Sequence, residues 1–244
     1  MRFVCIIEAR MRSSRLPGKV LKPILGKPML ELMIERLRRA RTIDEVVIAT
    51  TDQPSDEPIA ALGRRLGTPV HRGSEDDVLL RVLEAARANR ADVIVEVMGD
   101  CPLIDPGLLD KTVGDFCIGG ADFVATTLEY TAPRGTDIRV FTTAALAEIN
   151  RVSSDQADHE HVSLHFWEHP EKYRLRNVPT HFAKPAAAWR LTVDTPEDFD
   201  LIRHIYEALY PGQPAFTLAD VLDFLEAHPG LAALNQQVHQ KPVR

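Results

Sequence analysis

The chain has 244 residues, 45% hydrophobic and 26% charged, with a formal net charge of −6 at pH 7; this supplies a sizeable core and argues against general nucleic-acid or anionic-membrane binding. No apolar run reaches the roughly 18 residues of a membrane span, and the N-terminus reads as a strand rather than a signal peptide. Cys5, Cys101 and Cys117 are odd in number and match no zinc or disulfide spacing, which predicts a reducing, cytoplasmic setting.

Residues 3–7 form an apolar run that reads as a buried strand. It leads into a loop, residues 8–19, in which Arg10, Arg12, Arg15 and Lys19 accompany Ser13 and Ser14. Arg forks, a Lys ammonium, hydroxyls and backbone N–H groups at short range suit a polyanion. The loop is neither a Walker A loop nor G-x-G-x-x-G. It follows the first strand, where open α/β sheets bind ligands; a solvated basic loop is the plainer alternative.

Next, Pro28 suits a first helical turn, and Leu30, Met33, Ile34 and Leu37 have helical spacing. A strand is expected over 45–50, a helix over 56–66 and a short strand over 69–71. Ser74-Glu75-Asp76-Asp77 resembles a capping box opening a helix with Val78, Leu79, Val82 and Ala86 on one face. Residues 92–98 read as a strand, 106–117 as a helix, 122–125 as a strand and 135–141 as a half-exposed strand. Helices are expected over 143–150 and 157–168, and strands over 173–178 and 189–193. Thr195-Pro196-Glu197-Asp198 caps a further helix, and a last helix near 217–227 precedes a polar tail. The alternation predicts one α/β domain over 1–244, its sheet mixed but mostly parallel with helices on both faces.

Two aspartates end strands: Asp100 in Gly99-Asp100-Cys101-Pro102, and Asp194 just before the Thr195 cap. A carboxylate at a strand end suits Mg²⁺, which takes few protein ligands, all oxygen; for Asp100 a turn-forming role before Pro explains the residue equally well. His161 and His165 have the i, i+4 spacing of helical metal ligands, but without H-E-x-x-H or a nearby cysteine they read better as a polar helix face. Arg134, in a turn before a strand, is either a bidentate carboxylate anchor or an exposed turn residue. No triad spacing points to covalent catalysis.

The segments 9–19, 25–30, 72–79, 99–105 and 193–198, in this order, resemble the cytidylyltransferases that make CMP-sugars. That group includes the CMP-Kdo synthetases, the acylneuraminate cytidylyltransferases and the spore-coat SpsF-type proteins, the last being the most similar. The resemblance implies a Rossmann-like GT-A nucleotidyltransferase fold, often a homodimer through a segment near 130–185. It implies transfer of CMP from CTP to an acidic sugar with Mg²⁺ and release of pyrophosphate. Arg10, Arg12, Ser13, Ser14, Arg15 and Lys19 would then hold the triphosphate, with Arg15, Lys19 and Asp100 catalytic. Asp100 and Asp194 would bind the metal, and Arg72 and Ser74 would lie near the base or ribose. Arg134, Asp137, Arg139, His159 and His161 would line the sugar side. The chain departs from the SpsF-type pattern at Glu8 (usually Gln), Arg12 (usually Gly) and Arg139 (usually acidic), the last bearing on substrate identity. A glycosyltransferase using a ready-made nucleotide sugar, and a nucleotide-binding domain without turnover, are the competing readings.

Overall fold

In the computed structural model, residues 1–180 and 189–241 are described. In chain order, β1 (Phe3–Glu8) is followed by a short hairpin of β2 (Pro23–Ile24) and β3 (Lys27–Pro28), then α1 (Met29–Leu37) and β4 (Glu45–Thr51). Next come α2 (Glu57–Leu66), β5 (Val70–Gly73), α3 (Val78–Ala88), β6 (Val93–Met98) and α4 (Pro106–Cys117). The second half holds β7 (Phe123–Ala125), β8 (Arg139–Thr142), α5 (Thr143–Val152), α6 (Gln156–Glu160), α7 (Leu164–Glu168) and β9 (Leu175–Asn177). It ends with α8 (Pro196–Leu209), α9 (Leu218–Ala227) and α10 (Pro229–Ala232).

The main sheet has seven strands in the order β5-β4-β1-β6-β8-β7-β9. Among these strands β8 alone runs against the rest, pairing antiparallel with both β6 and β7. Strand alternation divides the core in two. Cys5, Ile7, Val46, Ile48, Val93 and Val95 point to the face covered by α1, α2, α4, α8 and α9. Val4, Ile6, Val47, Ala49 and Ile94 point to the face covered by α3 and α5, with Phe166 of α7. Burial on both faces explains why these strands read as continuous apolar runs.

Four expectations change in detail. Helix α3 starts at Val78, capped by Asp77, whose side chain accepts from Leu80 N; Ser74 Oγ accepts from Asp77 N and closes the preceding turn. The helix expected over 157–168 is broken into α6 and α7, with Leu164 N bonding back to His161 O. Regular pairing of β8 begins only at Arg139; before it the chain turns at Gly135, which takes φ +97 and where a Cβ would lie 2.4 Å from Leu191 C. Residues 189–193 form no ladder; they lie beside the Gly135 turn through one parallel bridge, Arg134 to Arg190.

Candidate active site

From β1 the chain goes to β4 and β5 on one side and then crosses to β6 on the other. The carboxyl ends of β1 and β6 therefore flank the point where an open parallel sheet leaves a crevice. Gly99 N donates to Glu8 O at 2.8 Å, and a Cβ on Gly99 would stand 2.8 Å from that oxygen. The turn thus needs glycine to bring Asp100 beside the end of β1. A cleft opens there as two adjoining cavities of about 400 and 370 Å³, which share Glu8, Arg15, Asp100, His161, Asp194 and Lys241 in their walls.

Lys19 lines the smaller cavity beside Asp100 and Asp194, which border both. Gly18, at φ +69, turns the loop into a short 3₁₀ segment that buries Lys19. The ammonium donates to Asp100 Oδ2 and Asp194 Oδ1, both at 3.0 Å, and to Val193 O at 2.6 Å. Burial alone would lower its pKa, but the two carboxylates outweigh that and raise it. Asp194 is held below the usual carboxylate range: burial works the other way, and Lys19, Arg15 and Arg190 overcome it. Arg15 pairs with Asp194 Oδ2 at 2.9 Å, and Arg190 with the same oxygen.

The basic loop is anchored at its start by buried Asp56, which accepts from Met11 N at 2.8 Å and from Thr51 Oγ1 at 2.6 Å. Leu16 packs into the core, while Arg10, Arg12, Ser13, Ser14 and Arg15 line the smaller cavity. Arg12 is mostly exposed and reaches Glu75 at 3.2 Å. Arg10 is exposed and has no carboxylate partner among the described residues.

The larger cavity has an acid-rich floor. Arg139 on β8 pairs with Glu96 of β6 at 3.0 Å and with Asp137 at 3.8 Å. Burial and the neighbouring Glu96 push the Glu8 carboxyl up to about 8, against the pull of Arg81 and Arg139. Glu8 Oε1 and Glu96 Oε2 are buried without another hydrogen-bond donor among the described residues, so a proton held on Glu8 removes a like-charge clash. Burial raises Asp137 despite Arg139. Nearer the mouth, the Arg134 guanidinium lies 4.1 Å above the Tyr130 ring and donates to its hydroxyl at 3.1 Å.

Arg10, Arg12, Ser13, Ser14, Arg15, Lys19, Asp100 and Asp194 thus converge, as do Arg134, Asp137, Arg139 and His161 on the other side. His159 does not join them: its ring pairs with Asp77 at 2.9 Å and it lines neither cavity. Arg72, on β5, is tied to Thr51 O, Gln53 O and Glu57, and Ser74 sits in the turn before α3; both lie outside the lining. The sequence reading missed Glu96 and Arg190. Each is a charge inside an apolar run, which is itself the signal of a buried partner. Nothing in the polar tail marked Lys241.

Among the described residues no three His, Cys, Asp or Glu side chains form a ready-made metal cage. Asp100 still fits Mg²⁺, which binds through one or two carboxylates plus substrate phosphates; Asp194 would join it by exchanging one of the cations on its two oxygens, Lys19 on Oδ1 or Arg15 and Arg190 on Oδ2. Among the described residues Asp100 Oδ1 meets only the Cys101 thiol, at 3.5 Å, leaving lone pairs for a hard cation.

Comparison with known proteins bears on this geometry. A family model described as cytidylyltransferase matches residues 4–219. The chain is 34% identical to the spore coat polysaccharide biosynthesis protein SpsF of Bacillus subtilis, over 93% of this chain and 95% of that one. It is 39% identical to a 3-deoxy-manno-octulosonate cytidylyltransferase of Geobacter metallireducens over 115 residues, 46% of this chain and 44% of that one. The solved structure of a cytidylyltransferase from Leptospira borgpetersenii superposes with a TM-score of 0.90 at 30% identity, covering 99% of both chains.

Proposed function

The chain belongs to the cytidylyltransferase family, and from that premise we propose that it transfers CMP from CTP to a hydroxyl of an acidic sugar, releasing pyrophosphate, in the synthesis of a surface polysaccharide or glycan. The observation that carries this reading is the Lys19 ammonium held between Asp100 and Asp194 at the head of a loop bearing Arg10, Arg12 and Arg15.

In the proposed reaction the sugar hydroxyl gives up its proton to solvent as its oxygen bonds to the α-phosphorus and the bond from that phosphorus to the departing pyrophosphate breaks. The protein's task is to hold the reactants in line and to offset phosphate charge. Arg10, Arg15 and the Ser13 and Ser14 hydroxyls would grip the triphosphate on the loop side. Lys19 would add its positive charge beside the leaving group through space, its N–H bonds meanwhile holding Asp100 and Asp194 in place. Arg134 would pair with the sugar carboxylate, and Asp137 and Arg139 would face its hydroxyls across the larger cavity. Asp100 and Asp194 would hold Mg²⁺, which when bound supplies Lewis-acid polarisation of the phosphate oxygens.

The test is pyrophosphate release measured with each of the four nucleoside triphosphates against a panel of acidic sugars in the presence of Mg²⁺. Release with CTP and an acidic sugar together is the expected outcome. Consumption of a ready-made nucleotide sugar, or binding without turnover, would replace this reading.

A further inference from the structure

The tail outside the family-matched residues does not hang free. Val238 N bonds to Asn235 O at 3.0 Å, and Asn235 Nδ2, buried, donates to Asp198 Oδ1 at 2.7 Å and Arg190 O at 2.9 Å. Arg190 Nη1 donates to Gln240 Oε1 at 2.5 Å, and Arg15 Nη1 reaches His239 O at 3.4 Å. These contacts lead residues 235–241 from α10 across the Arg190–Asp194 pair to the basic loop. There the Lys241 ammonium lies 3.3 Å from Ser14 Oγ and borders both cavities.

Lys241 has no carboxylate partner among the described residues; its partner is a neutral hydroxyl in a loop that already carries Arg10, Arg12 and Arg15. Collecting another cation there is electrostatically costly in the absence of an anion and favourable in its presence. We infer that Lys241 is a further phosphate-binding residue of this cleft, delivered to the triphosphate of the nucleotide by the docked segment 235–241. This inference rests on the proposed use of a nucleoside triphosphate. A Lys acts on phosphate as a mobile point charge, so its contribution grows with the number of phosphates and does not depend on the base. The tail also joins the two halves of the site, because Arg190 bonds to Gln240 on one side and to Asp194 on the other.

The test measures binding of CTP and of CMP, each with Mg²⁺, to the full chain as wild type, Lys241→Ala and Lys241→Arg, by titration calorimetry. The inference predicts that Lys241→Ala weakens CTP about tenfold and CMP by less than about twofold, that Lys241→Arg recovers most of the CTP affinity, and that the melting temperature is unchanged. Undiminished CTP binding by Lys241→Ala would overturn the inference while leaving the function standing. Equal losses for CTP and CMP would overturn it too, since they would mark the tail as packing rather than as a phosphate contact. Failure of the wild type to bind CTP would sink the functional reading along with it.

Discussion

Lys19 directs all three of its N–H bonds inward, to Asp100, Asp194 and Val193 O. Its charge therefore allows two carboxylates to converge, and a neutral isostere would leave them facing each other uncompensated. Lys19→Met is expected to lower turnover by about 100-fold or more, the scale of losing one aligned charge at a reacting group, as read from steady-state pyrophosphate release. Asp100→Asn is expected to abolish turnover while the circular dichroism and melting curve stay those of the wild type; full activity would end its assignment to the metal. Glu8 gives a prediction in pH. Its carboxyl has an ordinary value of 4.5 and is pushed up to about 8 in the folded protein. Between those values the folded state binds more protons than the unfolded chain. Stability from this group is thus fully present below 4.5 and is lost as pH rises to about 8. Glu8→Gln should flatten that decline and, at pH 8 and above, exceed the wild type by on the order of 4 kcal/mol, measured by thermal melts across pH 5 to 8.5. The loop cations, Asp100 and Asp194 were legible as residues, because charge and position sufficed, although the segment before Asp194 is extended without being a strand. The Glu8–Glu96–Arg139 contacts were not, because they depend on which strands become neighbours, and β6 pairs with β8 across a gap of about forty residues in sequence.

Elements were legible where a local rule governs them and less so where tertiary contacts override it. Thr195 and Asp198 form both bonds of the capping box expected from their spacing. Asp198 does more than cap: fully buried, it also accepts from Arg190, Asn235 and Asp194 N, and so fixes the segment that carries Asp194. Asp198→Asn leaves the buried Arg190 short of a partner and should cost about 3 kcal/mol in urea unfolding, with activity falling alongside. Ser74 illustrates the opposite case. Its spacing to Asp77 resembles a cap, yet Asp77 has the better placed side chain for Leu80 N and the helix starts three residues later. Gly135 was read simply as the start of a strand. In the fold it allows residues 134–136 to run against the 190–192 backbone, where a Cβ would come within 2.4 Å of Thr192 N. Gly135→Ala is therefore expected to destabilise by several kcal/mol, on the order of 3, and to disturb the Arg134 side of the cleft.

At the scale of the molecule, strand and helix alternation was enough to anticipate a mostly parallel sheet covered on both faces, since burial on two faces leaves its mark on every strand. The position of the cleft follows from strand order: β1 and β6 end side by side where the chain order reverses, and the basic loop, Asp100 and Asp194 arrive there from residues far apart in the chain. The two cavities differ in character, cations on the loop side and an acid-rich floor on the other, as a site needs that must hold a polyphosphate and a hydroxyl-bearing acceptor at once. The most direct test of that division is pyrophosphate release from CTP and Mg²⁺ with and without an acidic sugar, followed for the wild type and for Asp100→Asn. Sugar-dependent release by the wild type, matched by formation of the CMP-sugar and lost in the variant, is the predicted result. Release independent of any sugar, or undiminished in Asp100→Asn, would contradict the proposed transfer at this cleft.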